Sequence, residues 1–122
     1  MENNKQVLQE RHSDLVNMTI RARIMIEGKE DPTVLDIMTD MRALPGLVTV
    51  RQMRPISDPV TPQGKRIIEM KVSYMPQYVE GDGKLMTVLK SIKTVEGLDM
   101  LKVIEHDNQA INNQIKETGL VL

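Results

Sequence analysis

Shifted by 51 residues, the chain lies over itself: Leu35, Met38, Met41, Arg42, Gly46 and Leu47 fall on Met86, Leu89, Ile92, Lys93, Gly97 and Leu98. Further along, Arg51 and Met53 fall on Lys102 and Ile104. Each copy passes from helical spacing through a glycine into an alternating run. That is one β-α-β unit written twice, and it restricts the fold more than any other feature of the chain.

The segments agree with it. MTIRARIMIE alternates, with Ile20, Ala22, Ile24 and Ile26 on one face and Thr19, Arg21, Arg23 and Met25 on the other, the pattern of a half-buried strand. Asp31-Pro32 is a helix start, since Asp accepts free first-turn amides and Pro suits the first helical position. Val34, Leu35, Met38, Met41 and Leu44 then recur at helical spacing up to Pro45-Gly46. LVTVRQMRP returns as a strand with Val48 and Val50 inward and Thr49, Arg51 and Met53 outward. After a loop punctuated by Pro55, Pro59, Pro62 and Gly64, a third strand sets Ile68, Met70, Val72 and Tyr74 against Ile67, Glu69, Lys71 and Ser73. Leu85, Val88, Leu89 and Ile92 mark a second helix ended by Gly97. DMLKVIEH closes the series, with Leu101 and Val103 on one side and Lys102, Ile104 and His106 on the other.

The order β-α-β-β-α-β predicts an α+β chain, a ferredoxin-like split βαβ sandwich with a four-stranded antiparallel sheet and two helices on one face. The first and third strands are then central and the second and fourth form the edges. Residues 18–106 make this domain, flanked by a polar N-terminal arm or helix at 1–17 and a C-terminal arm or helix at 107–122.

A chain of 122 residues suits one core. Its net charge of −1 argues against a general binder of nucleic acid or acidic membranes. The absence of cysteine removes disulfides, thiolate nucleophiles and thiolate metal sites. With no Phe or Trp and ten Met, the core is filled by aliphatic side chains and flexible thioethers. The N-terminal stretch lacks a secretory pattern and no apolar run reaches membrane-spanning length, so the chain reads as soluble and unsecreted.

The face turned away from the helices should present Arg21, Arg23, Met25, Arg51 and Met53, with Ile67, Glu69, Lys71, Lys102, Ile104 and His106, a basic surface with apolar patches. Single-stranded RNA would need stacking aromatics there, and none is present. A small anionic ligand is the second candidate, because the layout resembles amino-acid-sensing ACT-type regulatory domains. Those domains hold ligand near a glycine after the first strand; here Gly28 stands beside Glu30, Asp31 and Pro32, which oppose an anion. Another protein chain is the third, since an open face between two edge strands is a poor surface to leave bare. Chemistry finds little footing: His106 in EHD and His12 make no ligand cluster, GDGK at 81–84 lacks the phosphate-loop pattern, and no nucleophile-base set assembles. No catalytic residue, metal or cofactor is assigned.

RALPGLVTVRQ, the proline-rich connection, GKRIIEMKVSYMP and SIKTVEGLDMLKVI together resemble small ferredoxin-like proteins encoded by tailed bacteriophages, over about residues 18 to 105. The resemblance implies a phage setting, in the host cytoplasm or the virion, and transfers no catalytic residue. The expectation is a non-enzymatic assembly or structural protein, a homo- or hetero-oligomer working through its sheet edges, the 55–65 loop and both arms. Its contact residues would be Arg21, Arg23, Met25, Arg51, Met53, Ile67, Lys71, Lys102 and Ile104. The alternative is a small-ligand-binding regulatory domain.

Overall fold

Four strands of alternating sequence form one antiparallel sheet: β1 (Val16–Ile24), β2 (Leu47–Ile56), β3 (Arg66–Tyr74) and β4 (Leu98–His106). Three helices accompany them, α1 (Val34–Arg42), α2 (Leu85–Lys93) and α3 (Gln109–Thr118). These come from a computed structural model that describes residues 15–24, 34–56 and 66–122. The strand order is β2-β3-β1-β4, so β1 and β3 are central and β2 and β4 lie at the edges. The architecture is α+β and consistent with a ferredoxin-like layout. The readings that fall on Met25, Ile26, Gly28, the Asp31-Pro32 helix start, His12 and residues 57–65 lie outside the described residues.

The core forms on one face of the sheet because alternation sends every second side chain there. Met18, Ile20, Ala22 and Ile24 of β1 and Ile68, Met70, Val72 and Tyr74 of β3 are buried, with Val50 on β2 and Leu101 and Val103 on β4. Ile37, Met38 and Met41 of α1 and Val88, Leu89 and Ile92 of α2 close over them. Leu35, expected inward, is 67% exposed, as is its counterpart Met86 at 45%. The reason is helical phase: Leu35 sits about 160° around the helix from Ile37, on the far side of the buried stripe. The inward pair at the corresponding positions is Ile37 and Val88.

The repeat is preserved down to backbone bonds. After α1, the amides of Ala43, Leu44 and Leu47 donate to the carbonyls of Asp40, Met41 and Leu44; after α2, those of Thr94, Val95 and Leu98 donate to Ser91, Ile92 and Val95. Gly46 and Gly97 follow with φ of +83° and +95°. A Cβ at Gly46 would lie 2.9 Å from the Val79 backbone nitrogen, so the helix stop there needs glycine for space as well as for conformation.

Both edge strands also break register at matching places. In β2 the pairing skips Val48 and Met53, and in β4 it skips Asp99 and Ile104, which are the same positions 51 residues later. Each skipped residue is a bulge, and a bulge resets the alternation beyond it. Two sequence assignments fail for this reason. Val48, expected inward, is 47% exposed. His106, expected on the open face, pairs with Met18 and lies buried on the helix-covered face.

The C-terminal segment is also built into the sheet, where the sequence suggested an arm displayed to other chains. Asn108 caps α3 by accepting from the Ala110 amide at 2.9 Å, and Ile111 and Ile115 pack on the core. The chain then reverses at Gly119 and runs beside β4: Leu122 exchanges both backbone bonds with Leu101, and the Val103 amide donates to Leu120 at 2.9 Å. Farther along the same edge, the Asn112 side chain accepts from the His106 amide at 2.8 Å and donates to the His106 carbonyl at 2.6 Å, acting as a substitute strand. Residues 101–106 of β4 are therefore unavailable for strand addition, contrary to the expectation that this edge is a contact surface.

Candidate functional site

The face of the sheet that no described helix covers is organised in rows that cross all four strands. Register places Arg51 beside Lys71, Lys71 beside Thr19, and Thr19 beside Glu105. The neighbouring row runs Thr49, Ser73, Asn17, and Asp107 completes it by accepting from the Asn17 amide at 2.8 Å and its side chain at 3.1 Å. The Ser73 hydroxyl donates to Asn17 Oδ1 at 2.5 Å, which fixes the carboxamide between the two. These rows line a groove of about 400 Å³.

Charge is distributed across the groove unevenly. Arg51 and Lys71 stand exposed on the β2 and β3 side, and Glu105 and Asp107 on the β4 side. Farther up the face, Arg21 Nε meets Glu69 Oε1 at 3.2 Å and Arg23 Nε meets Asp99 Oδ1 at 2.6 Å. Glu69 is itself 6% exposed, so its charge is withdrawn beneath Arg21. The face expected to be basic is thus mixed: two of its arginines are neutralised locally, and Arg51, Lys71 and Lys102 enter no ion pair among the described residues. Ile67 and Ile104 supply half-buried apolar surface. Of the expected contact residues, the structure brings Arg21, Arg23, Arg51, Ile67, Lys71, Lys102 and Ile104 to this sheet. Met25 lies outside the described residues, and Met53 takes the bulge position in β2.

On the covered side, His106 and Tyr74 form a buried polar pair that sequence alone did not join. His106 Nδ1 accepts from the Asn108 amide at 2.9 Å. In the neutral ring Nε2 must then carry the hydrogen, so it donates to the Tyr74 hydroxyl 3.1 Å away. Burial holds the His106 pKa below its usual 6.5, against the pull of Asp107, and burial with the Asp107 charge pushes Tyr74 up to about 12. Both groups satisfy each other inside the fold. The signal missed in the sequence was the placement of Tyr74 and His106 at the same end of β3 and β4, the two strands that flank β1, which becomes visible only once the Ile104 bulge is known.

The GDGK segment is a helix entry: Asp82 accepts from the Lys84 amide at 3.0 Å and from the Thr87 hydroxyl, and these bonds lower its pKa. Among the described residues no group of three or more His, Asp or Glu side chains could hold a metal ion, and no helix is long and apolar enough to cross a membrane. No family model, curated protein or solved structure matches this chain.

Proposed function

We propose that this chain is a non-enzymatic assembly protein that works through the face of its sheet that no described helix covers. Within the α+β class its fold is read as a ferredoxin-like split βαβ sandwich: β1 and β2 both run antiparallel to β3, which lies between them, and β3 and β4 stand in the same relation to β1. The observation that carries the functional reading is the contrast between face and edges. One edge is filled by residues of the chain itself and both are interrupted by bulges, while the face keeps Arg51, Lys71 and Lys102 exposed beside Ile67 and Ile104. Contact through the face replaces the sheet edges and C-terminal arm as the working surface. The setting suggested by the sequence resemblance is a tailed-phage particle or its infected host cell.

Light scattering across a concentration series, alone and with lysate of the source, tests this. The expected result is association that Arg51→Glu weakens while the melting temperature stays within a few degrees, because an exposed strand residue contributes little to folding. A wild-type monomer that engages no other chain would end the proposal.

A second reading, a regulatory small-ligand domain, is favoured by the groove alone. Its cations on one wall and carboxylates on the other suit a ligand carrying both charges. A thermal-shift panel of amino acids and nucleotides discriminates, since ligand binding to the native state raises apparent stability.

A further inference from the structure

We propose that the occupant of the open face is a second copy of this chain, packed sheet to sheet about a two-fold axis that passes between β1 and β3. The inference rests on the reading of that face as a contact surface and names the partner.

The row Arg51, Lys71, Thr19, Glu105 has one residue on each strand in the order β2, β3, β1, β4. A two-fold axis through the middle of the sheet exchanges the first position with the fourth and the second with the third. Arg51 then meets the partner's Glu105, Lys71 meets the partner's Thr19, and the reciprocal contacts follow by symmetry. Asp107, beside Glu105 on the same wall, is carried in the same way toward the partner's β2 and β3 side. Within this row the charges are self-complementary, while in the neighbouring row Arg54, Glu69, Arg21, Lys102 the same operation pairs Arg21 with the partner's Glu69 and sets position 54 opposite the partner's Lys102.

Size agrees. Strands of nine or ten residues at about 3.3 Å per residue, four abreast at about 4.8 Å, give roughly 570 Å² of projected face per copy, so that two copies bury upwards of roughly 1,100 Å², enough for a specific interface. Thr19, 9% exposed, and Ser73 are short side chains on the two central strands, which leaves room there for Lys71 of the other copy. Edge-to-edge pairing offers no competing route at β4, whose outer bonds are taken by Asn112 and residues 120–122.

The test is sedimentation of the full chain with charge reversals. Wild type should sediment as a dimer, and Arg51→Glu or Glu105→Arg should each weaken dimerisation at least tenfold, because each change places like charges at both symmetric contacts; close interfacial charge pairs couple by roughly 1.5 kcal/mol or more. An equimolar mixture of the two variants restores opposite charges at both contacts, and a heterodimer should form. Melting curves matching wild type show that each variant is folded. A dimer that survives both single changes overturns this inference and leaves assembly standing through another surface. A wild-type monomer at about 100 μM also overturns it; assembly with a different chain then survives only if some partner binds in an Arg51-sensitive way.

Discussion

Strands β2 and β4 hold equivalent places in the two halves of the chain and skip the same two positions, Val48 with Asp99 and Met53 with Ile104, yet their outer edges are finished differently. Beside β4 the chain continues through α3, lends the Asn112 amide to His106 and lays residues 120–122 against Leu101 and Val103. Beside β2 the cover among the described residues is one side chain, Arg42, donating to the Val50 carbonyl at 2.8 Å. A duplicated unit therefore fixes the twist and interruptions of an edge, while protection of that edge comes from sequence outside the repeat. The β4 edge is covered by covalent continuation, and among the described residues the β2 edge, beside Arg51, is the less covered of the two.

Removing residues 119–122 should break the comparison most strongly. The deletion loses the burial of Leu120, worth about 2 kcal/mol, and three backbone bonds at about 1 kcal/mol each, so roughly 3–5 kcal/mol should disappear from a urea melt. It also leaves β4 as open as β2, and association of a new, charge-insensitive kind should appear at high concentration. An unchanged urea midpoint would show that the terminal residues decorate the edge without holding it.

Asn112→Ala comes next. Two backbone groups of His106 lose their partner together, and the expected cost is about 1–2 kcal/mol. Hydrogen exchange should localise the loss to the His106 amide. If that amide stays protected, the substitute-strand role is wrong.

The pH dependence sharpens the same end of β4. The folded His106 pKa lies below 6.5, so the unfolded chain takes up its proton first. Its contribution to stability is complete above pH 6.5 and declines as pH falls from there toward the folded pKa. Over pH 7.5 to 5.5, wild type should lose more stability than His106→Gln, with His12 common to both. Equal slopes would mean that His106 can be protonated in place, against the bond from the Asn108 amide to Nδ1.

How much of this was legible beforehand follows the range of the forces involved. The helix stops at Gly46 and Gly97 and the whole inner face of β3 were readable, because a positive φ and a period of two are properties of neighbouring residues. Val48 and His106 were misplaced because a bulge is decided by pairing with another strand, and one extra residue inverts every assignment beyond it. Arg21 and Arg23 were named correctly as members of the open face, but their partners Glu69 and Asp99 come from other strands, so the cancellation of charge was hidden. The C-terminal cover was the hardest to see. Its local pattern, Ile111 and Ile115 four apart followed by Gly119 and LVL, indicates a helix and a short extended tail, and says nothing of what that tail pairs with.

Arg42→Met carries the smallest expected effect and bears on the edge itself. It keeps helix propensity and most of the side-chain stem while removing the donor to the Val50 carbonyl. A partly exposed bond of this kind contributes about 0.5–1 kcal/mol, because water replaces it on the open β2 edge. Lys93 occupies the same place in the second unit, and among the described residues no hydrogen bond joins it to β4, so Lys93→Met should leave the urea midpoint unmoved. The pair separates two explanations that a single variant leaves confounded. If both changes cost the same, the cation at the end of the helix acts through the helix terminus in both units, and the bond to β2 is incidental. If only Arg42→Met does, that guanidinium substitutes at β2 for what residues 119–122 supply at β4.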